Sequence, residues 1–261
     1  MRGPPEVFAR EVLPRLLAAP AELILDALPP LQPQTRFLEV GAGGAVVARA
    51  LVERIAGLGR LVAIDHDSGL ALGLPAGPKR GARAVAQLRA LPFTDAVFDT
   101  AIANLVLGNA HDGPHLAELR RVLRPGGWLL ATVLLEGSFD ELFDLIFDVF
   151  DARLRAVATA SKAAFPDDDA LGLRFAGAGL AVAQSGIEDR LLCLVDGDAL
   201  LQDALIAEVL LPAFLGQPVP DEMRRGLVQA ARARFPGGMP LQARTAIVAA
   251  RRPTADDAQA P

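Results

Sequence analysis

Glu39 stands two residues ahead of a glycine loop, Gly41-Ala42-Gly43, and Asp65 closes the next apolar run of the chain. That pairing is the part of the sequence best suited to chemistry. Glycines allow a tight turn and let a ligand approach the backbone, while the loop amides and a helix N-terminus offer a polar cradle. Such a cradle receives a pyrophosphate or an amino-acid carboxylate. A carboxylate at the position of Asp65 can accept two hydrogen bonds from ribose hydroxyls, or it can cap its own turn. Glu39 lies in an apolar strand, so its side chain must pair with a backbone group or face a ligand's ammonium. No Gly-Lys-Ser/Thr ends the loop, which excludes a P-loop NTPase. Three histidines, His66, His111 and His115, follow within the same half of the chain. His111 is the candidate general base, because it follows a fourth strand at the sheet end where ligands bind. Asp112 reads as the cap of the helix that starts near His115.

The elements that must carry these residues alternate. Residues 6–28 are helical in pattern, interrupted by Pro14 and Pro20. Strands are expected over 36–40, 61–64, 83–88, 97–103 and 128–135, with helices over 43–55 and 115–123 between them. Short strands alternating with helices imply right-handed βαβ crossovers in a parallel sheet. Beyond the fifth strand the alternation stops. Residues 138–158 read as one long helix crowded with Phe139, Phe143, Phe147 and Phe150. Further helices are expected from 166, over 198–214 and over 220–235. Residues 180–187 and 191–195 compete for a sixth strand, and 245–250 forms a last strand, antiparallel and at the sheet edge. The fold class is therefore α/β: a Rossmann-like, seven-stranded, mostly parallel sheet with helices on both faces and a helical cap insertion. Four segments are expected: an N-terminal helical segment over 1–29, a cofactor-binding core over 30–136, a helical cap plus the final strands over 137–252, and a tail over 253–261.

Composition narrows the function. Of the 261 residues, 52% are hydrophobic, enough for a large core, yet no apolar run is long enough to span a membrane. With 31 acidic and 26 basic residues, the chain lacks the cationic surface that grips a phosphate backbone. Neither a membrane span nor a nucleic-acid partner is expected. The N-terminus lacks a signal-peptide pattern, so a cytoplasmic location is the default. A single Cys, Cys193 in an apolar run, excludes an internal disulfide and a Cys-rich metal centre and reads as a buried thiol. No metal is called for.

The ordered motifs resemble those of class I S-adenosylmethionine-dependent methyltransferases. Glu39-Val-Gly-Ala-Gly-Gly-Ala45 looks like their first motif and Ile64-Asp65 like their ribose-binding acid. Leu91-Pro-Phe-Thr-Asp-Ala-Val-Phe-Asp99 and Leu119-Arg-Arg-Val-Leu-Arg-Pro-Gly-Gly-Trp128 resemble the segments entering their fourth and fifth strands. A narrower likeness, carried by Asn104-Leu-Val-Leu-Gly-Asn109 and by residues 132–142, is to the methyltransferases of biotin synthesis that esterify malonyl-carrier protein. The resemblance implies S-adenosylmethionine as cofactor. Its methionine part would lie by Glu39, Gly41, Ala42 and Gly43. Its ribose would meet Asp65 beside His66, Gln87 and Leu88 would flank its adenine, and Ala103 and Asn104 would approach its sulfonium. Two positions depart from the pattern: Ala45 replaces a third glycine, and Gln87 stands where an Asp is common. The function implied is methyl transfer to a small organic or carrier-linked acceptor, at oxygen. A non-catalytic scaffold of the same fold, which could form a homodimer through its late apolar helices, and a nucleotide-dependent oxidoreductase are the alternatives.

Overall fold

The computed structural model describes residues 5–30, 32–55, 59–67, 81–108 and 112–257. One helical turn, Pro5–Val7, leads into α1 (Phe8–Leu17), a widened helix, and then into α2 (Ala18–Asp26). Pro14 lies inside α1. A proline lacks the amide of an ordinary turn, which accounts for the widening there. Strand β1 (Thr35–Val40) follows, then α3 (Val46–Ile55), β2 (Gly59–Asp65), β3 (Ala82–Val85) and β4 (Phe98–Leu107). Next come α4 (Gly113–Val122), β5 (Leu123–Leu134), α5 (Asp140–Val149), α6 (Ala152–Lys162) and α7 (Asp168–Gly177). The chain continues through β6 (Ala181–Val195), α8 (Leu205–Leu210), α9 (Leu211–Leu215), α10 (Asp221–Arg234) and β7 (Met239–Arg251).

The seven strands form one sheet in the order β3-β2-β1-β4-β5-β7-β6. The pairs β2–β3, β1–β2, β1–β4 and β4–β5 are parallel. The direction of chain growth reverses between β1 and β4, the switch point at which open α/β sheets bind ligands. β7 runs antiparallel to β5, because Gly126 and Gly127 exchange hydrogen bonds with Arg252 whereas Leu135 bonds to Arg244. The sheet is thus mostly parallel and Rossmann-like, as the alternation of elements implies.

Several boundaries differ from the sequence reading, each for a local reason. The last strand is not at the sheet edge: β7 lies between β5 and β6, and β6 takes the edge. The two competing segments for the sixth strand are one strand, β6, whose residues 181–187 are exposed on both faces and so carry no period-two burial signal. The long helix over 138–158 is two helices. Asp151 turns the chain into an extended conformation and its carboxylate accepts from the Leu154 amide, capping α6. Helix over 198–214 starts only at Leu205; Asp196 and the Asp198 amide hold a turn ahead of it. The third strand is Ala82–Val85, shorter and earlier than the 83–88 expected.

The chain clusters into two compact units. The first comprises Leu17–Val133, Asp167–Ile187 and the stretch from Ala246. Its core joins Ala21, Ile24 and Leu25 of α2 and Ala48, Leu51 and Ile55 of α3 to Phe37, Leu61, Ala63, Ile102 and Leu130 of the strands. Near-continuous burial of β1 and β4 is what a parallel sheet covered on both faces requires. The second comprises the stretch ending at Leu16, Leu134–Pro166 and Glu188–Thr245. Phe143 and Phe214 stack there at 4.4 Å, with Phe139 and Phe165 against them. Phe139, Phe143 and Phe214 are buried, so these rings fill the unit's interior. The apolar residues of α8 and α9, among them Leu205, Ile206, Val209 and Phe214, are likewise buried. Exposed apolar side chains on β6 are Val182, Ile187, Leu191 and Leu194.

Candidate functional site

The loop after β1 and the end of β4 meet at the switch point. Gly41 adopts φ +62°, and a side-chain carbon on it would overlap Val106 Cγ2. Only glycine satisfies both demands. Val106 reaches this place because β4 bulges. Asn104 pairs with Thr132 but Leu107 with Val133, so Leu105 and Val106 are extra residues in the strand. Leu105 takes φ +53°, an uncommon conformation for a branched side chain. Its amide donates to Thr132 Oγ1 at 3.1 Å, Thr132 donates to Asn104 Oδ1 at 2.7 Å, and Asn104 Nδ2 donates to the Leu17 carbonyl at 3.1 Å. Bulges held by such networks re-aim strands beside functional clefts.

The two carboxylates lie behind the loop. Asp65 is 3% exposed. Its Oδ2 accepts from the Gly43 amide and its Oδ1 from the Asp67 amide, both at 2.9 Å, with His66 Nδ1 at 3.1 Å. It therefore stitches the glycine loop to the end of β2. A carboxylate offers about four acceptor positions, so further donors can still bind. Glu39 is buried beside it, and its Oε2 has no partner. Burial, and then the neighbouring Asp65, pushes the Glu39 carboxyl up to about 8. The loop turns on the carbonyls behind it: the Ala42 amide donates to Ile64 and the Ala45 amide to Ala42. Ala45 has φ +63° and is fully buried in the core cluster with α3, so its methyl packs inward. An L-residue in that conformation costs about 1–2 kcal/mol.

The remaining candidates divide by position. Ala103 is buried in β4 and Asn104 closes the Thr132 network, so both stand at the switch point. His66 is exposed and rests on Asp65. Gln87 is exposed just past β3, its carboxamide oxygen accepting from Arg89, and Leu88 beside it is half-buried. His111 lies outside the described residues. Asp112 occupies the position that precedes α4, yet its side chain does not cap the helix. Instead Oδ2 accepts from the Gly108 amide and Oδ1 sits 3.0 Å from His115 Nδ1. Val106, Thr132 and this use of Asp112 are not marked in the sequence. A two-residue bulge leaves no mark in apolar periodicity, so nothing in the sequence points to Val106.

The donor set suits a cofactor bearing both an ammonium and a ribose. Buried Glu39 has an oxygen with no partner, which a cation would satisfy, and Asp65 keeps acceptor capacity at the next strand end. No group of three or more His, Cys, Asp or Glu among the described residues could hold a metal ion.

Known proteins resemble this chain in sequence over part of its length and in fold over most of it. The family model described as "Methyltransferase domain" matches residues 38–131. A malonyl-[acyl-carrier protein] O-methyltransferase from Pseudescherichia vulneris is 43% identical over 72 residues, 27% of this chain and 28% of that protein. The ubiquinone/menaquinone biosynthesis C-methyltransferase UbiE of Bordetella avium is 36% identical over 105 residues, 38% of this chain and 41% of that one. The chain spans well under half the length of these curated relatives. Among solved structures, a SAM-dependent methyltransferase from Methanosarcina mazei superposes with a TM-score of 0.52 at 13% identity, covering 87% of this chain and 99% of that one. Sequence likeness over the opening sheet and fold likeness over most of the chain converge on the class I S-adenosylmethionine-dependent methyltransferase fold, and residues 38–131 match the model of a methyltransferase domain.

Proposed function

We propose that this protein transfers a methyl group from S-adenosylmethionine to a small organic or carrier-linked acceptor, at oxygen. The observation that carries the reading is Glu39: a buried carboxyl with an unpartnered oxygen, beside Asp65 and behind the glycine loop at the switch point. A cationic ligand head that also presents ribose hydroxyls fits these two acids better than a dinucleotide does. The cofactor, when bound, supplies a methyl carbon already activated by a sulfonium. The chain's own task is alignment and a dry approach path. Glu39 would hold the ammonium, Asp65 the ribose hydroxyls, and Gly41, Ala42 and Gly43 would leave room for the methionine part. His66, Gln87 and Leu88 would border the nucleoside. Ala103 and Asn104, fixed by Thr132, would set the acceptor side.

The acceptor class draws on the relatives. One methylates a malonyl-carrier protein at oxygen and the other is a quinone-pathway C-methyltransferase. The stronger local identity is to the first, which favours oxygen.

Calorimetric titration with S-adenosylmethionine, S-adenosylhomocysteine and NAD tests the cofactor. Binding of the first two, and not of NAD, is expected. Asp65→Ala should weaken that binding more than tenfold, and unchanged affinity would overturn the ribose contact. Incubating candidate acids and quinols with labelled cofactor, followed by product analysis, tests the acceptor.

A further inference from the structure

We propose that two copies of this protein pair through the free edge of β6, residues 181–187, antiparallel about Gln184, so that their sheets join into one. The pairing does not depend on the methyl-transfer reading above. The sheet has two edges, β3 and β6, and they are built differently. An edge strand presents a row of backbone amides and carbonyls without partners, and folded proteins guard such rows by keeping them short or charged. β3 is guarded: it has four residues, Ala82–Val85, and Arg83 stands among them. β6 runs for 15 residues, and its first seven, Ala181-Val-Ala-Gln-Ser-Gly-Ile187, carry no charge and no proline and are all exposed. Charge enters this strand only at Glu188, Asp189 and Arg190.

The occupant that fits this edge is the same segment of a second copy. In an antiparallel ladder centred on Gln184, Ala181 stands opposite Ile187, Val182 opposite Gly186 and Ala183 opposite Ser185. All seven residues pair among themselves, so no charge enters the ladder and no like charges meet. Val182 and Ile187, 39% and 40% exposed, each face a small residue across the pair. Beside the strand, Val182 and Ser185 line a largely apolar groove of about 570 Å³ together with Leu173 of α7 and Val248 of β7. Leu173 is 73% exposed, so the groove extends the apolar surface that a second copy covers. The late apolar helices offer no such surface in α8 and α9, where Leu205, Ile206, Val209 and Phe214 are buried. The same strand serves on both sides, so the contact is two-fold and closes at two copies. Seven paired residues a side are fewer than the roughly 20–30 of a standard stable interface, so the dimer exchanges with monomer.

Sedimentation velocity of the full chain over a concentration series tests the pairing. Monomer should give way to dimer, and amide hydrogen exchange over 181–187 should slow as dimer forms. Gln184→Lys sets two like charges opposite each other at the centre of the ladder and should raise the dimer dissociation constant at least about tenfold. Gln184→Glu should do the same. An equimolar mixture of the two variants should restore the dimer, now as a heterodimer. Gln184 is exposed, so both variants should keep the native circular dichroism spectrum. A native protein that stays monomeric at its highest soluble concentration would overturn the proposal. So would a dimer unaffected by either charge, variants that associate no better mixed than alone, or association that continues past two copies.

Discussion

Glu39 shows how far a single residue's environment decides its chemistry. Its carboxyl, ordinarily titrating near 4.5, is raised to about 8 by burial and by Asp65. Below pH 4.5 the group is protonated folded and unfolded, and contributes no pH dependence. Between about 4.5 and 8 the unfolded chain gives up the proton while the folded chain keeps it, so stability falls as pH rises through that window. Glu39→Gln removes this slope: denaturant melts at pH 5 and pH 8 should differ less in the variant than in the native protein. Proton release on cofactor binding at pH 7 is expected for the same reason. An ammonium beside Glu39 favours the carboxylate, and titration in buffers of different ionisation enthalpy should detect up to about one proton released. Gly41 gives a second test. Gly41→Ala places a methyl on Val106 in a left-handed backbone. A loss of about 2–4 kcal/mol is expected from the sum of strain and overpacking. Adding Val106→Ala should recover part of it, and urea melts of the four proteins give the coupling.

Element boundaries are set by which polar side chain reaches which backbone group. Asp151 and Asp167 each accept from the amide three residues on and start α6 and α7. The run 138–158 has a continuous apolar pattern, so periodicity alone merges α5 with α6; the cap at Asp151 separates them. Asp151→Ala should cost about 1 kcal/mol, read as a lowered urea midpoint without a change in slope. Asp112 has the same residue type at the same kind of position and behaves differently, since its oxygens go to Gly108 and His115. Both of those partners lie within four residues of it, so the difference is local, yet residue type alone does not disclose it. The bulge at Leu105 and Val106 is of another kind: its support comes from Thr132, one strand away.

At the scale of the whole molecule, the position of the last strand matters most. As an edge strand, β7 would be expendable. Lying between β5 and β6, it pairs on both sides. Arg252 beyond it donates to the carbonyls of Arg120, Arg121 and Leu123, fixing the junction of α4 and β5. Removal of 239–261 should therefore abolish cooperative unfolding, whereas removal of 255–261 should leave the melting temperature within about 2 °C. Circular dichroism melts of the two truncations decide between an inner and an outer β7. No helix among the described residues is long and apolar enough to cross a membrane.

The sequence by itself determined the alternating parallel half of the sheet, the glycine loop and the two acids at its strand ends. Those features rest on apolar runs, turn residues and motif spacing, all of which are local along the chain. Only the tertiary structure decided that Glu39 is left with an unpartnered oxygen, that Val106 closes on Gly41, and that β7 lies inside the sheet. Each of these depends on groups brought together from distant parts of the chain, and burial, register and hydrogen-bond partners exist only once those parts have met.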